Sequence, residues 1–148
     1  MNLYFEDFEV GEKFSTPGRS IFNTDIVNFV GLTGMYEDLF CNLEYIEKAS
    51  AFKKRIVPGA LTLSVSVGLF SRTGWFDKTG LALTGFRKIN FINPLVPGDT
   101  IRNECEVIGK QESERRDGGI LTLQVIVKNQ RDEDIVSYQT LGLMAKRG

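Results

Sequence analysis

The segment from Lys53 to Gly74 constrains this chain more than any other. Lys53, Lys54 and Arg55 lead into Ile56-Val57-Pro58-Gly59-Ala60-Leu61, and no charged residue follows until Arg72. Pro58 fixes φ and lacks the N–H that a helix's first turn leaves unpaired, Gly59 lets another backbone come close, and Arg72 with Gly74 supplies stop signals. The stretch predicts a buried helix from about Gly59 to Thr73. Periodicity alone does not decide this, because Leu61, Leu63, Val65, Val67 and Leu69 alternate with Thr62, Ser64, Ser66 and Gly68 as in a half-buried strand. Length does, since a strand that long is unusual. The small Ala, Ser, Thr and Gly residues spread round such a helix let a sheet wrap it closely on most sides.

The absence of histidine is the strongest chemical constraint. It excludes a Ser-His-Asp triad, a Cys-His pair and any metal site built on imidazole, so proton transfer must use carboxylates, Tyr, Cys, Lys or backbone dipoles. No metal is expected. With 148 residues, 42% hydrophobic and 25% charged, the chain fits one domain, residues 1–148, with a sizeable core. A formal net charge of −1 gives no global field for nucleic acid. The uncharged run is shorter than a membrane span, and Met1-Asn2-Leu3-Tyr4-Phe5-Glu6-Asp7 lacks a basic region followed by an apolar one. Neither a nucleic acid nor a membrane is an expected partner, and the expected location is cytoplasmic. Cys41 and Cys105 are expected to be separate reduced thiols.

Taken in order, the chain opens with an aromatic and acidic stretch, followed by a strand near Phe14 to Phe22 that Pro17-Gly18 bends or interrupts. Asn23 or Thr24 caps a short helix whose Ile26, Val27 and Val30 face the core and which Gly31 ends. Leu32 to Leu43 reads as an irregular segment folded over a pocket, and Asn42 caps a further turn or two through Lys48. Beyond the long helix come strands: Leu81 to Ile92, then Ile101 to Val107 with period-two alternation, then Leu121 to Val127, then Ile135 to Met144, with turns at Arg115 to Gly119 and Asn129 to Asp134. Three consecutive strands with short turns imply an antiparallel meander. The predicted class is α+β, a curved sheet wrapping one helix.

Four stretches together, in this order and spacing, resemble the MaoC-like dehydratases, hotdog proteins related to (R)-specific enoyl-CoA hydratases. They are Phe5-Glu6-Asp7-Phe8-Glu9-Val10-Gly11, Lys54-Arg55-Ile56-Val57-Pro58-Gly59-Ala60-Leu61, Phe91-Ile92-Asn93-Pro94-Leu95-Val96-Pro97-Gly98-Asp99-Thr100-Ile101, and Val127-Lys128-Asn129-Gln130. The resemblance implies a hotdog fold and an acyl thioester, on CoA or a carrier protein, as substrate with no further cofactor. It also implies a homodimer whose sheets pair edge to edge, or a partner hotdog chain. The family's Gly-Asp-x-Asn-Pro-Leu-His signature aligns with Gly34-Met35-Tyr36-Glu37-Asp38-Leu39-Phe40, so Met35 and Phe40 occupy the positions of the catalytic Asp and His. A thioether and a phenyl ring cannot move protons. Pro58 stands where the family commonly has a His before the helix glycine, whereas Gly59 is retained and its backbone N–H is the implied oxyanion donor.

The candidate catalytic groups are therefore Glu37, Asp38 and the Gly59 N–H, with the carboxylates set against a role as ordinary loop residues. Lys53, Lys54 and Arg55 are candidates for CoA phosphates, set against a solvated basic turn; Arg87 and Lys88 carry the same reading more weakly. Tyr36 is expected to orient a ligand or form an aromatic wall, and Pro58 and Ala60 at the helix start are further candidates for substrate binding. Cys41 is expected to be a small core thiol rather than a nucleophile. The expected activity is hydration of a 2-enoyl thioester or dehydration of a 3-hydroxyacyl thioester by displaced acid/base groups. A catalytically silent acyl-CoA binder, a partner subunit and a carboxylate-dependent thioesterase are the alternatives.

Overall fold

The computed structural model describes residues 1–148. The predicted long helix is α4 (Gly59–Leu69), prolonged by a 3₁₀ turn over Phe70–Thr73 and stopped at Gly74, whose φ of 72° is left-handed. Four long strands follow: β3 (Gly80–Phe91), β4 (Thr100–Glu112), β5 (Gly119–Lys128) and β6 (Asp134–Met144). Two short ones, β1 (Lys13–Ser15) and β2 (Arg19–Ser20), pair with β4, separated by the Pro17-Gly18 interruption. The sheet order is β1-β4-β5-β6-β3, antiparallel throughout. Strands β4 to β6 form the expected meander, and β3 returns to the far edge beside β6. This is the α+β hotdog arrangement.

Alternation decides which strand faces point inward. Ile101, Asn103, Cys105 and Val107 on β4 and Leu121, Leu123, Val125 and Val127 on β5 are all buried, and they pack with Leu61, Val65 and Leu69 of α4. Asn103 is the polar exception on this face, and α4 supplies its partner. Ser66 Oγ donates to Asn103 Oδ1 at 2.7 Å, and Asn103 Nδ2 donates to the Ser66 carbonyl at 2.8 Å. Tyr138 of β6 lies 2.6 Å from Ser66 Oγ and, since that hydroxyl's proton is already committed, acts as the donor. Burial holds the Tyr138 phenol well above its usual range, so it stays a donor. A buried network with its polar atoms satisfied fixes helix to sheet without leaving an orphan.

The sheet covers less of α4 than the small residues imply. Leu61, Thr62, Val65, Ser66 and Leu69 are buried, whereas Ala60, Ser64 and Gly68, four residues apart, form an exposed stripe on the opposite face. Helix α1 (Asn23–Thr33) runs past Gly31 and ends at Gly34, with φ 74°. Gly31 has ordinary helical φ and nothing to terminate it, whereas Gly34 takes the left-handed cap. Neither Asn23 nor Thr24 caps the helix; the Asp25 carboxylate accepts the Phe22 N–H at 2.8 Å, and Asn23 Oδ1 is engaged elsewhere. Ile26 and Val30 are buried, but Val27, one position round the helix, is exposed. Asn42 caps α3 (Leu43–Lys48) by accepting the Tyr45 N–H, as the sequence predicts. Both cysteines are free. Cys105 is buried, with its thiol pushed up to about 12 by desolvation, whereas Cys41 is exposed and not in the core. Cys41 projects from the short outer helix α2 (Asp38–Cys41), and its Sγ contacts the Tyr36 and Glu37 carbonyl oxygens. No helix is long and apolar enough to cross a membrane.

Candidate functional site

The start of α4 is built as an anion-accepting end. Val57 is tied to the sheet by its N–H to the Leu95 carbonyl at 2.8 Å, and Pro58 is buried with extended ψ of 135°. The Pro58 carbonyl accepts the first helical bond, from Thr62 N–H at 3.1 Å. The Gly59 N–H has no acceptor in the chain, as the first turn of any helix dictates. A cleft of about 450 Å³ opens here, lined by Gly59 and Thr62 of the helix, Phe52, Ile56 and Val57 before it, Phe91 to Leu95, and Ile135 with Val136. It is an open cleft in this single chain. None of its lining side chains ionises.

At position 59 the space of a side chain is taken by a ring rather than by the backbone approach that the sequence predicts. The φ of Gly59 is not left-handed, but a Cβ placed there would stand 2.8 Å from Phe91 Cε1 and 3.0 Å from Cδ1. The Phe91 ring therefore lies directly on the Gly59 Cα. A smaller apolar hollow of about 280 Å³ lies near the other end of α4, between Val67, Phe70, β3 and β6.

The signature segment sits beside the helix start but outside the cleft lining. Phe40 is half-buried against the core, and its carbonyl accepts from Arg55 Nη2 at 3.4 Å. Arg55 Nη1 donates to Asn23 Oδ1 at 3.0 Å, while its Nε is buried without a partner. The guanidinium thus clamps α1 and the Phe40 turn to the segment preceding α4. Met35 is half-buried, whereas Tyr36, Glu37 and Asp38 are exposed. Asp38 Oδ1 accepts from Asn42 Nδ2 at 3.2 Å, a local contact within the outer helical turns. The expectation that Leu32 to Leu43 folds its polar residues over a pocket is corrected: Tyr36 is 65% exposed, and Tyr36, Glu37 and Asp38 are all absent from the cleft wall.

The basic cluster also divides. Lys53, at φ 56°, donates its Nζ to the Lys48 carbonyl at 2.8 Å and so caps the C-terminal end of α3. Arg55 is bonded to neutral oxygens inside the fold, which leaves Lys54 exposed with no partner in the chain. Arg87 and Lys88 are exposed on β3. Ala60 is exposed beside the cleft and does not line it. No group of three or more His, Cys, Asp or Glu side chains gathers where it could hold a metal ion. Sequence reasoning missed Phe91, Phe52, Ile135 and Val136 as cleft residues; the signal available for Phe91 was an aromatic just before the Asn93-Pro94 turn, whose target in space no periodicity reveals.

The sequence profile described as MaoC like domain matches residues 7–129. The Protein MaoC of Klebsiella aerogenes is 36% identical over 100 residues, 67% of this chain and 29% of its own length. A mesaconyl-CoA hydratase of Cereibacter sphaeroides is 31% identical over 67 residues, 45% of this chain and 20% of its length. The chain thus spans less than a third of either curated relative. An X-ray structure from Archaeoglobus, described as a monoamine oxidase regulatory protein, superposes with a TM-score of 0.89 at 31% identity, covering 99% of this chain and 97% of that one. On the match across residues 7–129, the chain belongs to the MaoC-like domain family.

Proposed function

We propose that this chain binds an acyl thioester with its carbonyl oxygen on the Gly59 N–H, and acts on it as a 2-enoyl hydratase or 3-hydroxyacyl dehydratase. The observation that carries the reading is the unpartnered Gly59 N–H at a helix start facing an apolar cleft. Hydration adds the water oxygen to Cβ and a proton to Cα, so charge gathers on the thioester oxygen between the two events. A fixed N–H and the positive end of α4 stabilise that charge most when it is largest. The carboxylates of the signature segment, Glu37 and Asp38, stand exposed outside the cleft wall, so proton transfer between water and Cα by either requires it to be carried to the bound thioester. The family membership and its hydratase relative support the reaction class. Lys54, Arg87 and Lys88 are the cations available to CoA phosphates.

One observation favours a second reading, a binder that does not turn over: the cleft wall contains no ionisable side chain. Turnover of an enoyl-CoA panel by the purified protein separates the two. Binding is tested by calorimetric titration with a non-hydrolysable acyl-CoA analogue. Gly59→Ala adds the Cβ that presses on Phe91 but keeps the N–H, whereas Gly59→Pro adds similar bulk and removes it. Gly59→Pro is expected to bind ~1–3 kcal/mol more weakly than Gly59→Ala. Equal affinities for the two folded variants, or no binding by the unmodified protein, overturn the placement.

A second copy of this chain is proposed to pair along β3, whose outer edge is unpaired and whose Leu81, Leu83, Phe86 and Ile89 are exposed. A monomer by light scattering at micromolar concentration refutes it.

A further inference from the structure

Three observations converge on Phe91. First, its ring fills the space that a side chain at Gly59 would take, with Cε1, Cδ1 and Cζ all within 3.2 Å of the Cβ position. At the first residue of a helix both the Cβ direction and the N–H lean toward the helix N-terminus, so the ring stands beside the unpartnered Gly59 donor. Second, a β-bulge puts it there. Phe86 faces the helix side, with its ring 5.8 Å from that of buried Tyr138. Residues five apart on a regular strand point to opposite faces. The register with β6 shifts by one residue between Arg87 and Asn90, where Lys88 takes a φ of 52°, and this extra residue turns Phe91 back toward α4. Third, the ring is not locked into the core: Phe91 is 58% exposed and belongs to the cleft wall.

We infer that Phe91 is a specificity-determining residue that narrows the cleft beside the thioester carbonyl and selects acyl groups unbranched at Cα. This rests on the placement of the carbonyl at Gly59. A carbonyl oxygen about 2.9 Å from that N–H brings Cα of the acyl group within two bonds of the oxygen, against the ring. A straight chain leaves along the cleft past Ile92 and Ile135. A methyl branch at Cα meets the phenyl face, and the ring must move to admit it.

Butanoyl-CoA and 2-methylpropanoyl-CoA test this, because they are isomers with the same apolar content and no double bond to hydrate. Calorimetric titration of the unmodified protein is expected to give at least tenfold tighter binding of butanoyl-CoA. In Phe91→Ala the ratio is expected to fall to about twofold or less, chiefly by tighter binding of the branched isomer; Phe91→Leu, which retains apolar bulk, gives an intermediate ratio. A loss of stability that merely loosens the cleft lowers both affinities and leaves the ratio in place, so an unchanged ratio in the folded variants overturns the role of Phe91 while leaving the Gly59 placement standing. Equal binding of both isomers by the unmodified protein does the same. Binding of neither overturns both.

Discussion

Strands β5 and β3 belong to one sheet and are built on opposite principles. In β5 burial alternates without a break over ten residues, and both sides are hydrogen-bonded, with one register irregularity toward each neighbour. In β3 none of the twelve residues is buried, one side has no strand, and three irregularities interrupt its pairing with β6. The residues of β5 are interchangeable with other β-branched or aliphatic residues of similar volume, because only the buried side matters. Those of β3 are not, because each bulge resets which side chain meets the helix. Stability resides in the meander, and the shape of the cleft is set by the irregular edge.

Truncation of matched leucines sharpens this contrast most. Leu123→Ala, at a buried position of β5, is expected to cost ~2–5 kcal/mol in urea unfolding through lost transfer energy and a cavity. Leu83→Ala, half exposed on β3, is expected to cost under about 1 kcal/mol in the isolated chain. A larger loss at Leu83 that depends on protein concentration locates the seam between two copies there.

The bulge provides the next test. Lys88→Ile raises strand propensity, which at an ordinary exposed strand position is neutral or stabilising. At a φ of 52° a β-branched side chain is strained, so a loss of ~1–2 kcal/mol is expected by thermal unfolding. A gain in stability shows that the bulge has been abandoned.

The smallest effect concerns the regular half. The Ser15 hydroxyl, then Arg102, hold the Glu104 carboxyl on β4 below its usual range. A depressed folded value means that the contribution is present above the unfolded value near 4.5 and is lost as pH falls through the lower folded one. Glu104 is partly exposed and screened, so Glu104→Gln is expected to flatten the acid limb of the stability curve by only ~0.5 kcal/mol. A loss at neutral pH several times larger contradicts this weak surface pairing.

The same contrast explains what was legible in the sequence. Period-two runs in Ile101 to Val107 and Leu121 to Val127 announce their buried side, and Pro58-Gly59 announces the helix start, because these signals are local. The face that Phe91 presents depends on a bulge three residues earlier at Lys88, which carries no glycine to mark it. The resemblance places Met35 and Phe40 in the signature positions, but whether Glu37 and Asp38 point inward depends on how the outer helical turns pack. Lys53 and Arg55 read as free cations because their acceptors, the Lys48 and Phe40 carbonyls, are backbone atoms that no side-chain pattern displays.

Helix α4 has no strong apolar stripe, so greasiness alone would let it roll about its long axis against the sheet with little penalty. Ser66 prevents this. With Asn103 and Tyr138 bonded to a single hydroxyl, and the Asn103 amide returned to the Ser66 carbonyl, the helix has one azimuth at which no buried dipole is orphaned. Seven residues upstream, that azimuth determines which backbone amide looks into the cleft. A hydroxyl in the middle of the core thereby acts as the key that aims Gly59.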